Sequence, residues 1–68
     1  MRLSARNKIK GTIREIEIGS VMAKISIETG SGERINSIIT IDSVEDLQLK
    51  EGDTVHAIIK STEVMIGK

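Results

Sequence analysis

Ser4-Ala5-Arg6-Asn7 sets a hydroxyl, a guanidinium and a carboxamide side by side just ahead of the first strand-like run. No large apolar side chain among them marks the cluster as core. Two further donor-rich groups stand at strand ends: Thr40 with Ser43, and Lys60 with Ser61. Each has a plain structural reading when taken singly, Ser43 as a helix cap, Lys60 as a solvated tip, Ser61 as a turn former. Taken together they are donors at strand termini, where barrel ends or subunit junctions can bring them into one place. The ligand that suits such a set is a tetrahedral oxyanion, which accepts hydrogen bonds at every oxygen and offers none. Arg6 and Lys60 would offset its charge, and charge-assisted bonds are roughly twice as strong as neutral ones. Backbone N–H groups at a helix start near Ser43 would add to them. Hydrogen phosphate carries a proton that needs an acceptor, and leaving it unpaired costs about 1–3 kcal/mol.

Catalytic readings find little support. His56 is the single histidine, sits mid-strand and has no cysteine to work with. It cannot supply a multi-histidine zinc site. The acidic residues fall on strand faces and at a helix start, with no pair that spacing marks as acid and base. Gly30-Ser31-Gly32 is too short for a phosphate-cradling loop, and no Gly-Lys-Ser/Thr follows it. The chain is expected to be a binding protein, not an enzyme, with no cofactor and no direct protein ligand to a metal.

What must hold these donors is small. The 68 residues read as one domain, 1–68, and domains of this size are marginal alone. Disulfides are excluded by the absence of cysteine, so oligomerisation is the support that remains. There is no Phe, Tyr or Trp, and the core must come from the many isoleucines with Val, Leu, Ala and Met. Branched side chains of this kind favour a pleated, half-buried surface. The polar opening from Met1 to Gly11 lacks the apolar run of a signal peptide. No stretch is long enough to cross a bilayer as a helix, so a cytoplasmic protein without a membrane partner is expected.

Along the chain, Ile9, Gly11 and Ile13 alternate with polar residues, and Ile16 and Ile18 then fall on the opposite parity. That slip predicts a bulge near Arg14-Glu15. Gly19-Ser20 signals a hairpin turn, followed by the alternating run Val21, Ala23, Ile25, Ile27. Thr29 to Gly32 reads as a second connection and Glu33 to Thr40 as a third strand, with another parity slip at Ile38-Ile39. Asp42 to Leu47 is the one helical segment, capped by Asp42 or Ser43. Thr54 to Lys60 is a fourth strand, with Val55, Ala57 and Ile59 inward, and Val64-Met65-Ile66 a short fifth. Five strands with a helix between the third and fourth match an all-β, OB-type Greek-key barrel, and an SH3-like barrel fits the order as well. Ile58 and some of Ile16, Ile18, Ile38 and Ile39 would then face outward as an interface patch.

The run Ser4-Ala5-Arg6-Asn7-Lys8-Ile9-Lys10-Gly11, combined with Ala57-Ile58-Ile59-Lys60-Ser61, resembles the molbindins, small molybdate-binding proteins made of one transport-associated OB domain. Ser43-Val44-Glu45-Asp46-Leu47 and Leu49-Lys50-Glu51-Gly52-Asp53 extend the resemblance over nearly the whole chain. The resemblance implies binding of molybdate or tungstate by a homo-oligomer, typically a hexamer built as a trimer of dimers, for storage or homeostasis. It implies a main site between subunits, formed by Ser4, Arg6, Lys60 and Ser61 with Thr40 and Ser43 of a neighbouring chain. The backbone of Ala5 is a further donor on the same ground. Further oxyanion sites on symmetry axes are also implied, with Gly19, Ser20 and Val21 as candidate contributors. One departure is Met22, where family members often carry Asn, so a side-chain amide is lost there.

Two other readings compete: a nucleic-acid-binding OB module, and a purely structural or regulatory assembly domain. The formal net charge is zero and aromatic residues are absent. Sequence-tolerant single-strand binding depends on a positive groove and on aromatic stacking platforms. A fluorescence anisotropy titration with single-stranded oligonucleotides at low salt is therefore expected to stay flat.

Overall fold

The structure is a computed structural model and describes residues 4–68; Met1 to Leu3 of the expected polar opening lie outside the described residues. Its spine is β1 (Asn7–Ile18), which pairs antiparallel with a strand on each side. One neighbour is β2 (Met22–Thr29), which in turn pairs with β3 (Arg34–Thr40). A short helix, α1 (Ile41–Asp46), follows, and β4 (Thr54–Ile59) returns to the far side of β1. A one-turn 3-10 helix, η1 (Ser61–Glu63), comes last. The order β3-β2-β1-β4 is that of a Greek key, three hairpin-connected strands with the fourth laid beside the first. The architecture is all-β and OB-type, with the helix between the third and fourth strands as expected. No helix among the described residues is long and apolar enough to cross a membrane.

The predicted bulge is present. Ile13 pairs with Ile27 and Glu15 with Ser26, which leaves Arg14 as the extra residue on β1. Before it, Gly11 and Ile13 face the interior; after it, Ile16 does. Ile13 is fully buried, and its backbone N–H and C=O are both bonded to the Gly52-Asp53 loop, at 2.9 Å to Asp53 O and 2.8 Å from Gly52 N. Around it lie Ala23, Ile25, Ile27, Val44 and Ala57, with Ile16, Ile35, Ile39, Ile41, Leu49 and Val55 packed at the margin. Fully burying each isoleucine contributes on the order of 1.5–3 kcal/mol. On the outer face the displaced Arg14 donates from Nε to Glu28 Oε1 at 2.7 Å. That hydrogen bond, with the guanidinium charge, holds the Glu28 carboxyl below its ordinary range.

Three expectations need correction. β3 runs in unbroken register against β2, so Ile35, Ser37 and Ile39 face inward and Ile38 points out, opposite Lys24. The sequence shows two adjacent isoleucines, and only the pairing says which is buried. The helix is capped by Thr40, not by Asp42 or Ser43: Thr40 Oγ1 accepts from Ser43 N at 3.0 Å. The fifth strand is not formed within the chain. Val64 has extended dihedrals (φ −92, ψ 120), yet its N–H reaches only Ser61 O, at 3.5 Å. Strand propensity needs an edge to pair with, and this segment leaves the sheet at four strands.

Gly11 faces the interior where β1 crosses β2 closely. A Cβ there would lie 2.5 Å from Ile27 Cγ2 and 2.8 Å from the Glu28 carbonyl oxygen. The second contact is backbone and cannot swing away, so the strands would have to part. Gly11→Ala is expected to destabilise the fold by about 1–3 kcal/mol in urea denaturation.

Candidate functional site

The β1–β4 ladder decides which donors meet. It begins with Asn7 opposite Ile59, so the residues just before Asn7 and just after Ile59 leave the sheet at the same place. They enclose a solvent-open cavity of about 430 Å³ lined by Ser4, Ala5, Lys60, Ser61 and Thr62. The structure thus joins two clusters that lie more than fifty residues apart in the sequence. Ser4, Lys60, Ser61 and Thr62 are exposed and Ala5 is half-buried. The lining offers three hydroxyls and an ammonium, and no carboxylate.

Backbone donors add to the side chains. In η1 the Glu63 N–H bonds Lys60 O at 2.9 Å, and among the described residues the preceding N–H groups of Ser61 and Thr62 donate to no backbone carbonyl. Lys60 occupies the cap position without a side-chain cap bond. Arg6 does not line this cavity; it is exposed beside the end of the ladder. Among the described residues the ion pairs are Arg14–Glu28 and Lys24–Glu17, so Arg6 and Lys60 are both unpaired. Thr62 is a lining residue that the sequence reading missed. Its signal was adjacency to Lys60-Ser61, masked by its ordinary look as a turn residue.

Thr40 and Ser43 lie elsewhere. Thr40 closes β3 opposite Met22, at the Ile18 end of the sheet, whereas Ser4 precedes the Asn7 end of β1. Their hydroxyls face each other: Thr40 Oγ1 donates to Ser43 Oγ at 2.9 Å. Ser43 Oγ accepts in that bond, and its own proton is available to another acceptor. One chain therefore presents two donor groups at opposite ends of the sheet. The Gly19 to Val21 turn is partly committed already. Gly19 N–H donates to Met22 O at 2.8 Å, and Val21 O accepts from Ile41 N at 2.8 Å. A Cβ on Gly19 would sit 2.9 Å from that same Met22 oxygen, so the turn needs glycine for packing. Among the described residues, Ser20 and Val21 keep their N–H groups free of backbone partners.

Among protein families, the TOBE domain matches residues 3–66. The chain belongs to the TOBE domain family. Molybdenum-pterin-binding protein 3 of Clostridium pasteurianum is 47% identical over 66 residues, covering 97% of each chain. A solved molybdate-binding protein from Sporomusa ovata is 47% identical with a TM-score of 0.94, over the full length of both chains. ModG, described as a cytoplasmic molybdate-binding protein and solved with molybdate bound, is 41% identical with a TM-score of 0.86. There the match takes in 90% of this chain and 43% of that one. The resemblance drawn from the Ser-Ala-Arg-Asn and Ala-Ile-Ile-Lys-Ser segments is borne out, and so is the OB-type fold of this TOBE domain, although with four strands in place of five.

Because Thr40 caps α1 with its side chain, the cap should be measurable apart from any ligand. Thr40→Ala is expected to lower thermal stability by the equivalent of about 1 kcal/mol in anion-free buffer, and Thr40→Ser to restore most of it.

Proposed function

We propose that this TOBE domain, taken as one unit over residues 1–68, binds molybdate or tungstate as the intact oxyanion and does not transform it. The observation that carries the reading is the cavity lined by Ser4, Ala5, Lys60, Ser61 and Thr62, with donors on its walls and no carboxylate among them. A tetrahedral dianion accepts at every oxygen and so suits such a set of donors. Arg6 and Lys60, without ion-pair partners among the described residues, supply the compensating charge. In this reading the direct contacts are Ser4, Lys60 and Ser61 with the backbone of Ala5, Thr62 joins them, and the exposed Arg6 side chain turns in to the anion from outside the cavity lining. The names of its relatives agree with the ligand class: one is a molybdenum-pterin-binding protein and another a molybdate-binding protein. A pterin is a flat heterocycle that gains from aromatic stacking, and this chain has no aromatic residue. The bare oxyanion is the better fit.

The cavity is open to solvent, and exposed charge pairs are weak. Thr40 and Ser43 are separated from it within one chain, so they would complete the site from a second copy. We therefore read the protein as a homo-oligomer, a hexamer arranged as a trimer of dimers, that holds molybdenum or tungsten in the cytoplasm for storage or homeostasis. Val21 and Ser20 N–H groups would serve a secondary oxyanion site beside Gly19, without help from Met22.

Calorimetric titration of the purified chain with molybdate, tungstate, sulfate and phosphate tests the reading. Molybdate and tungstate are expected to bind at least tenfold more tightly than sulfate or phosphate, a margin of about 1.4 kcal/mol. Arg6→Ala and Lys60→Ala should each weaken molybdate binding by about tenfold or more, in line with the loss of a charge-assisted bond. Lys24→Ala, at the other end of the sheet, should leave it unchanged. Sulfate binding as tightly as molybdate would overturn the assignment.

A further inference from the structure

A second group of polar side chains lies on the outer face of the sheet, apart from the donor cavity. Thr12 stands opposite Glu28 of β2 on one side and Thr54 of β4 on the other. Strand alternation sets Lys10 on the same face two residues before Thr12. The bulge turns Arg14 onto that face two residues after it. With Gly30 from the β2–β3 loop, these residues line a solvent-open cavity of about 450 Å³. It shares no lining residue with the donor cavity at Ser4 and Lys60.

The two cavities differ in one group. Here, as there, cations stand ready: Lys10 has no ion-pair partner among the described residues. Arg14 gives Glu28 Oε1 only its Nε–H, at 2.7 Å, which leaves both of its Nη groups to face an anion. The hydroxyls of Thr12 and Thr54 lie beside them. What is new is the Glu28 carboxylate. Arg14 holds it below the ordinary carboxylate range, so it stays ionised near neutral pH. Its second oxygen, Oε2, has no hydrogen-bond partner among the described residues.

An ionised carboxylate inside a cationic cavity selects among anions by their protons. A fully deprotonated dianion such as sulfate or molybdate meets Glu28 as a like charge. An anion that keeps a proton meets it as an acceptor, and a hydrogen bond from O–H to a carboxylate is among the strong ones. We propose that the cavity around Thr12 binds inorganic hydrogen phosphate, with Lys10 and the Arg14 Nη groups on its charged oxygens and Glu28 Oε2 accepting its proton. A phosphate monoester fits less well, because its second proton leaves at a pKa of about 6. All the groups come from one chain, so the site stands independently of the oligomer and of the molybdate reading.

The test follows amide ¹H–¹⁵N shifts of the labelled protein at pH 7.5 and constant ionic strength. Sodium phosphate, sodium sulfate and glycerol phosphate are titrated in parallel. Phosphate is expected to give saturable shifts centred on Lys10, Thr12, Gly30 and Thr54, half-complete at about 1–10 mM. Sulfate and glycerol phosphate should each need at least about fivefold more, for want of the proton that Glu28 accepts. Lys10→Gln should weaken phosphate binding at least about fivefold. Glu28→Gln should bring sulfate and phosphate within about twofold of each other, since the like charge that separates them is gone. A further variant leaves the Arg14–Glu28 pair intact. An added Cβ at Gly30 meets nothing within 4 Å, and its φ is not positive, so Gly30→Asp places a carboxylate at the mouth without straining the loop. It should abolish the phosphate shifts. Equal half-points for phosphate and sulfate in the unaltered protein would overturn the proposal. So would shifts that grow without saturation at lysines and arginines all over the surface, which is screening alone, or full phosphate binding by Lys10→Gln.

Discussion

The pairing of β1 with β4 is the interaction on which the rest of the structure depends. Six consecutive pairs, from Asn7 with Ile59 to Thr12 with Thr54, bring the two ends of a short chain together. The ladder sets Gly11 and Ile13 over the interior and extends past Thr12 through the bonds of Ile13 to Gly52 and Asp53. At its open end the same ladder delivers Ser4 and Ala5 to Lys60, Ser61 and Thr62. Core and candidate site are consequently two ends of one set of hydrogen bonds. The Arg14 bulge keeps both compatible, because it rotates the second half of β1 so that Ile16 continues the core while Arg14 turns outward to Glu28.

A core without aromatic side chains has a further consequence. Isoleucine and alanine fill the centre around Ile13, but they leave the space between β3 and β4 open. A domain of this size buries too little surface to be comfortable with such a groove exposed. The oligomer proposed above is the physical remedy for a domain this small. In the proposed assembly, stability and ligand binding draw on the same neighbour.

Burial is also what the donor set lacks in a single chain. Hydroxyls and an ammonium on an open surface compete with water and with dissolved salt, and their attraction for an anion is screened within about a Debye length. The same groups enclosed by a second copy would act at a lower effective dielectric. Thr40 and Ser43, bonded to each other at the far end of the sheet, are the donors one chain cannot bring to its own cavity. In the proposed oligomer, a site divided in this way would respond to assembly as well as to ligand.

Much was legible in the sequence because its signals are local. The parity change after Ile13 announced the bulge, and the alternation in β2 and β4 named the inward faces. The donor types at Ser4, Arg6, Lys60 and Ser61 pointed to an oxyanion before any geometry was known. Non-local facts were not legible. Whether Ile38 or Ile39 is buried depends on the register with β2, and that register is set by the partner strand. Thr40 became the cap because the helix starts at Ile41, two residues earlier than a cap at Asp42 would place it. Val64-Met65-Ile66 has the composition of a strand, but composition does not supply an edge for it to pair with. Sequence by itself determined the faces of the strands and the chemistry of the donors, through side-chain type and spacing. Tertiary structure alone decided which donors share a cavity, and that the sheet stops at four strands, because both depend on hydrogen-bonded pairing between segments far apart in the chain.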